Sequence, residues 1–75
     1  MDFIGNAEQK FRENIMTIVK EDGWHEDTQK EICDEMVQEL NNMLRCLKGR
    51  DRSIYLRVCL CNTRELYGNF LARHV

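Results

Sequence analysis

The 75-residue chain has no proline, and none of its apolar runs is long enough to cross a membrane. Without proline, no helix has to end or bend for want of a backbone amide, so long helices are permitted. A membrane-spanning helix needs about 20 apolar residues, so no such segment is predicted. Residues 1–5 lack the basic start and apolar core of a secretory signal. We therefore expect a cytoplasmic protein with no membrane partner.

Motifs of common enzymes are also missing. The sequence has no glycine-rich phosphate loop, no HExxH and no GxSxG. His25 and His74 lie far apart, and Cys59 and Cys61 form a C-x-C pair instead of the C-x-x-C pair of zinc sites. We expect no catalytic residue, no metal, no cofactor and no small-molecule substrate.

The four cysteines are predicted to be free thiols. A cytoplasmic protein rarely holds disulfides, and Cys59 and Cys61 are too close in sequence to be a plausible pair. Cys33 falls on a predicted apolar helix face, so we expect it to be buried. Cys46 and Cys59 are expected to be more accessible.

One long amphipathic helix is predicted from Thr28 to Cys61. At about 100° per residue, its apolar side chains fall within about 120° of one another over roughly nine turns. This apolar stripe comprises Ile32, Cys33, Met36, Leu40, Met43, Leu44, Leu47, Ile54 and Val58. Thr28 and Glu31 have the spacing of a capping box, which places the start of the helix at Thr28.

Two features leave alternatives open within this helix. Gly49 costs about 1 kcal/mol relative to alanine in a helix interior, and it either admits a close neighbour or marks a break. Residues 53–60 alternate apolar and other side chains, which is also a strand pattern. A helix is favoured because the remaining residues offer no evident partner strand.

Two shorter helices are predicted to flank the long one. Residues 7–21 carry apolar side chains at helical spacing, and Gly23 follows as a stop. Asn62 is a good N-cap for a last helix over residues 63–73. The predicted fold is therefore all-α and a single domain over residues 1–75, with a helical hairpin, a long second helix and a short C-terminal helix.

The predicted stripe exceeds what one protomer can cover. It is about 50 Å long, and a first helix of about 15 residues covers less than half of it. Monomers rarely leave such an apolar patch bare, so we expect an antiparallel homodimer resembling a four-helix bundle. The expected interface is Met36, Leu40, Met43, Leu44, Leu47, Ile54 and Val58.

Charge is divided unevenly along the chain. Residues 1–44 hold eleven acidic and four basic side chains, whereas residues 45–75 hold two acidic and seven basic ones. Six of those seven are arginines, which form forked hydrogen bonds to phosphate. On the predicted long helix, Leu56 and several polar residues lie opposite the stripe. The candidate phosphate-binding residues are Arg45, Lys48, Arg50, Arg52, Arg57, Arg64, Asn42 and Ser53.

Several short patterns resemble the small RNA-silencing suppressors of nodaviruses over residues 14–72. They are Ile15-x-Thr17-x-Val19, Leu40-x-Asn42, Cys46-Leu47, and Val58, Arg64 and Leu71 at similar offsets. The chain departs from that family in having Arg64-Glu65 where the family has Lys-Pro. The family's central basic contacts fall on Gly49 and Leu56, one position before Arg50 and Arg57.

The resemblance implies a three-helix protein that forms an antiparallel dimer along double-stranded RNA and shields the RNA from silencing nucleases. The expected function is therefore sequence-independent duplex RNA binding by a viral protein in the cytoplasm of its host. The alternative is a small helical adaptor that docks a protein partner on its apolar stripe and has no nucleic-acid role.

Overall fold

A computed structural model describes the backbone of residues 3–74 and the side chains of residues 6–74. It contains four helices: α1 (Phe3–Glu21), α2 (Glu26–Cys46), α3 (Arg50–Cys61) and α4 (Thr63–His74). The all-α prediction is confirmed, and no strand occurs within residues 3–74. Residues 53–60 lie in α3, so the helical interpretation of that segment is confirmed over the strand.

The turn between α1 and α2 follows ordinary capping chemistry. Gly23 has a left-handed backbone, with φ of 77°. Its amide donates to the Lys20 carbonyl at 3.1 Å, and the Trp24 amide donates to the Val19 carbonyl at 3.4 Å. These bonds satisfy carbonyls at the end of a helix, so the predicted stop at Gly23 is confirmed.

The predicted start of the second helix at Thr28 is wrong by two residues, because α2 begins at Glu26. His25 is the N-cap, with an extended backbone, and its Nδ1 accepts a hydrogen bond from the Asp27 amide at 3.2 Å. The histidine ring is the side-chain acceptor at this N-cap, a role that serine, threonine or aspartate usually has. The first helix also starts earlier than predicted, at Phe3 instead of residue 7.

The prediction of one helix from Thr28 to Cys61 is wrong. Helix α2 ends at Cys46, Leu47 is extended with φ of −108° and ψ of 153°, and Gly49 has φ of 58° and ψ of −130°. That glycine conformation is closed to ordinary side chains. The chain changes direction here, and α3 packs on α1 instead of continuing along α2.

Burial explains why the break is favoured. Leu56 and Cys59 of α3 become 1% and 4% exposed. Fully burying a large apolar side chain is worth about 1.5–3 kcal/mol. This gain offsets the few helical hydrogen bonds lost at the break, each worth about 1 kcal/mol net.

The break also changes which side chains of the following helix face the core. Leu56, predicted on the polar face, is among the most buried side chains, whereas Ile54 and Val58, predicted on the stripe, are 53% and 51% exposed. The placement of these three residues by continuous periodicity is therefore wrong. Their spacing within α3 is helical, but its phase is not that of α2.

Helix α1 lies at the centre of the molecule and packs against each of the other helices. Ile15 and Val19 on α1 are fully buried. The side chains Met36, Leu40 and Leu44 of α2 are also buried in this core. The premise that most of the stripe stays bare is therefore wrong, because with Ile32 and Cys33 the protomer itself buries five of the nine stripe side chains.

Gly49 and Gly68 make a matched pair for testing the break. Both have open space where a Cβ would be added, but only Gly49 has a positive φ. We expect Gly49→Ala to lower the free energy of unfolding by about 1–3 kcal/mol through backbone strain. Gly68→Ala, inside α4, should raise it by about 0.5–1 kcal/mol. Urea denaturation measures both, and a stabilising Gly49→Ala would instead support a continuous helix.

Candidate nucleic-acid interface

Five basic side chains cluster where α2 gives way to α3. We call this set the basic strip: Arg45, Lys48, Arg50, Arg52 and Arg57. Arg45 lies in the last turn of α2, Lys48 lies in the break, and the other three belong to α3. Four are exposed and Arg52 is half-buried. The break therefore places charges from two helices and their connection on one part of the chain.

The basic strip differs from the other arginines in its pairing. Arg12 is 2.9 Å from Asp34, Arg64 is 3.2 Å from Glu21, and Arg73 pairs with Glu39. Among the residues that the structure describes, no side chain of the strip takes part in an ion pair. The carboxylates of Asp34, Glu21 and Glu39 therefore engage arginines outside the strip, while the strip keeps its positive charge available.

The start of α3 adds to this positive region. Gly49 is its N-cap and provides no side-chain hydrogen bond to the first helical amides. The positive end of the helix dipole lies at this terminus. Within residues 6–74, Arg52 Nε is buried without a hydrogen-bond partner. An approaching oxyanion would therefore meet the positive end of the α3 dipole as well as the charges of the strip.

The predicted phosphate-binding residues do not form one continuous face. Arg50, Ser53 and Arg57 line a shallow groove on α3 together with Ile54 and Val58. Asn42 and Arg45 line a different groove, between α1 and α2, which they share with Glu8, Arg12 and Asp34 among others. Arg64 lies on α4 with its charge balanced by Glu21. The structure thus groups Arg50, Ser53 and Arg57, places Asn42 and Arg45 in a separate groove, and leaves Arg64 the least available.

The predicted dimer-interface residues are likewise divided. Met36, Leu40 and Leu44 are buried within the protomer, and Leu47 is half-buried at the break. Met43, Ile54 and Val58 are the large apolar side chains that remain exposed among residues 6–74. Among the side chains that the structure describes, these three offer substantial apolar surface to another molecule.

A cavity of about 290 Å³ was not foreseen from the sequence. All four helices contribute to its wall, and its residues are Phe11, Met36, Glu39, Leu40, Met43, Tyr55, Cys59, Leu66, Phe70 and Arg73. Tyr55 and Cys59 would have been found by reading α3 alone, where positions 55, 56 and 59 have helical spacing. The prediction of one continuous helix did not identify the face that carries these positions.

Burial raises the pKa of the Tyr55 phenol to about 12, and its hydrogen bond with Cys59 adds to the effect. Burial also raises the pKa of the Cys59 thiol. Cys59 is only 4% exposed, so its predicted accessibility is wrong. The predictions that Cys33 is buried and Cys46 accessible are confirmed, and all four thiols are free.

A second polar group joins the α1–α2 turn to α4. Trp24 Nε1 donates to the Tyr67 hydroxyl at 2.6 Å, and that hydroxyl donates to the Asp22 carboxylate. Burial is the main cause that raises the pKa of the Tyr67 phenol, and the hydrogen bond to Asp22 raises it further. The placement of Trp24 over the helix junction matches the packing role expected of a half-buried tryptophan.

Among residues 3–74, no helix combines the length and apolar character that a bilayer crossing requires. Over the same residues, no cluster of three or more histidine, cysteine or acidic side chains has the arrangement of a metal site. Comparisons with protein-family models, with curated proteins and with solved structures gave no match.

The two tyrosines provide a pH prediction. Folding raises the pKa of Tyr55 from 10 to about 12, so the fold favours the neutral phenol. That stabilisation is complete below pH 10 and is lost as the pH rises towards 12. We expect tyrosinate absorbance to appear at higher pH in the folded protein than in urea. Tyr55→Phe should remove the highest-pH phase and Tyr67→Phe should retain it; a folded-state transition matching that in urea would contradict this.

Proposed function

We propose that this protein binds double-stranded RNA through its phosphate backbone, independently of base sequence. The observation that carries the proposal is the basic strip, whose five positive side chains have no carboxylate partner among the described residues. The resemblance to nodavirus silencing suppressors supports the same ligand. We propose further that binding shields the duplex from silencing nucleases in the host cytoplasm.

Phosphate recognition fits the chemistry of the strip. Four of its five members are arginines, which form forked bonds to phosphate oxygens. Ser53 lies between Arg50 and Arg57 along α3 and supplies a hydroxyl for a phosphate oxygen or a ribose 2′-hydroxyl. A-form RNA hides its base edges in a deep, narrow major groove, so shape and backbone are what such a surface reads.

Single-stranded RNA fits this surface less well. Proteins that bind single strands stack successive bases on exposed aromatic side chains. On α3 the only aromatic residue is Tyr55, and it is half-buried in the wall of the cavity. Phosphate contacts without stacking favour a ligand whose bases are already paired.

If the protein acts as an antiparallel homodimer, the dimer carries the basic strip twice. A single protomer measures 37 Å along its longest axis, whereas shape-reading domains contact about 16 base pairs of duplex. The three exposed apolar side chains, Met43, Ile54 and Val58, are the contact that we propose for the dimer. Each lies close in sequence to members of the strip, so pairing there would bring the two strips near each other.

The RNA proposal is tested by a gel shift on a blunt RNA duplex of about 20 base pairs. We expect Arg57→Glu to weaken binding at least about tenfold, because it reverses a charge that occurs twice in the dimer. Its melting curve should change little, because Arg57 is exposed and makes no ion pair with a described residue. Lys10→Glu, the same reversal at an exposed site on α1, is the control.

Wild-type binding should fall steeply between low and physiological salt as condensed counterions are released, and single-stranded RNA of the same length should bind weakly. Failure of the wild type to shift the duplex at low salt would refute the proposal. Equal losses in the two variants would place the site away from the strip.

The dimer is tested by sedimentation equilibrium at micromolar concentration. Val58→Asp introduces a charge at a side chain that is half exposed in the protomer, so the fold should survive and the dimer should dissociate. Asn69→Asp makes a comparable charge change on the exposed surface of α4 and should leave the dimer intact. A monomeric wild type would rule out this assembly.

One observation favours a second candidate function, that of a helical adaptor for a protein partner. Ile54 and Val58 lie one turn apart on α3 and line a groove of about 340 Å³. An apolar anchor from a partner helix would fit such a groove. Binding of that kind would be insensitive to salt, whereas duplex binding depends on Arg57 and weakens with salt.

A further inference from the structure

The cavity among the four helices has an apolar interior and a charged mouth. Apolar and aromatic side chains form most of its wall, while Glu39 of α2 and Arg73 of α4 provide its charged residues. Helix α1 packs against every other helix, but α2 packs little against α3 or α4. The space left between α2 and the α3–α4 pair is the cavity, with Phe11 of α1 contributing to its wall.

Its size suits a small apolar group. A dry cavity of about 150 Å³ is enough to hold benzene in a protein, and this one is about 290 Å³. A chain of about eight carbons therefore fits by the same measure. Met36 and Met43 in the wall have flexible thioether side chains that adapt to such a guest.

The polar side chains deep in the cavity wall, Tyr55 and Cys59, are a phenol and a thiol, and neither is a charged partner for a head group. The head group of a ligand must therefore lie at the mouth, where Arg73 and Glu39 are about half exposed.

Arg73 has hydrogen-bond donors at the mouth that its ion pair with Glu39 does not use. The single carboxylate of Glu39 serves both Arg73 and His74, with His74 Nε2 at 3.5 Å. Only Nη2 of Arg73 contacts Glu39. A guanidinium has five N–H donors, so most of those on Arg73 face no acceptor among the described residues.

We propose that this cavity binds an amphiphilic carboxylate with an unbranched apolar tail of about eight carbons. The tail occupies the space between α2 and α4, and the carboxylate binds the free edge of the Arg73 guanidinium. Glu39 holds Arg73 over the mouth in the absence of ligand and repels the incoming carboxylate, so it sets the affinity. Neither residue belongs to the basic strip, so the proposed head-group contact does not use the RNA-binding arginines.

Methyl NMR on the full chain tests the proposal directly. Met36 and Met43 line the cavity, and Met16 on α1 does not. Titration with sodium octanoate should shift the methyl signals of Met36 and Met43 and leave that of Met16 in place. Octan-1-ol should bind more weakly, because it lacks the charge for Arg73, and octylammonium should bind weakest of the three.

Three substitutions separate a head-group contact from a general effect on folding. Arg73→Gln should weaken octanoate binding about fivefold, as expected for a half-exposed ion pair, and leave octan-1-ol binding unchanged. Glu39→Gln should tighten octanoate binding, because it removes the repulsion and frees Arg73. Arg64→Gln is the matched control, since it breaks the Arg64–Glu21 ion pair of α4, which does not involve the cavity.

Three results would overturn the proposal. The first is the absence of shifts at Met36 and Met43 with millimolar octanoate, which would mean that the cavity holds no such guest. The second is tighter binding of octylammonium or octan-1-ol, which would assign a cationic or neutral ligand. The third is an equal effect of Arg73→Gln and Arg64→Gln on octanoate, which would remove Arg73 from the site.

Discussion

The packing of α3 against α1 is the interaction on which the rest of this structure depends. It requires the chain to leave the helical path at Leu47 and to adopt at Gly49 a backbone that only glycine accepts readily. In return, Leu56 and Cys59 enter the core around Ile15 and Val19. Small domains have little apolar surface to bury, so each side chain that the reversal adds to the core matters to stability.

The same reversal arranges the charges. It ends α2 just after Arg45, exposes Lys48 in the break, and starts α3 with Arg50 and an uncapped helix terminus. Carboxylates of α1 and α2 meanwhile pair with Arg12, Arg64 and Arg73. Internal ion pairs of this kind are worth little in stability when exposed. Their larger effect is to engage the other arginines, while those of the basic strip have no ion pair among the described residues.

The cavity is a third consequence. Because α3 and α4 both pack on α1, they make few contacts with α2. The gap between them and α2 is lined by side chains from all four helices. A protein of this size usually fills such a space, since an empty cavity costs contacts between its walls. The ion pair of Arg73 with Glu39 joins α2 to α4 across the mouth.

Local periodicity was enough to predict an all-helical chain, the extent of the last helix, the stop at Gly23, and the burial of Cys33. These features depend on neighbours within a few residues, which the sequence displays directly. The basic residues of the strip could be named for the same reason, since an arginine-rich segment is visible in the sequence. Tertiary packing determined the break at Gly49. A continuous helix and a broken helix satisfy the same local spacing of apolar residues. They differ only in the residues against which α3 packs. Burial of Leu56, exposure of Ile54 and Val58, the pairing of Arg64 and the cavity all follow from that choice, and each depends on residues far apart in sequence.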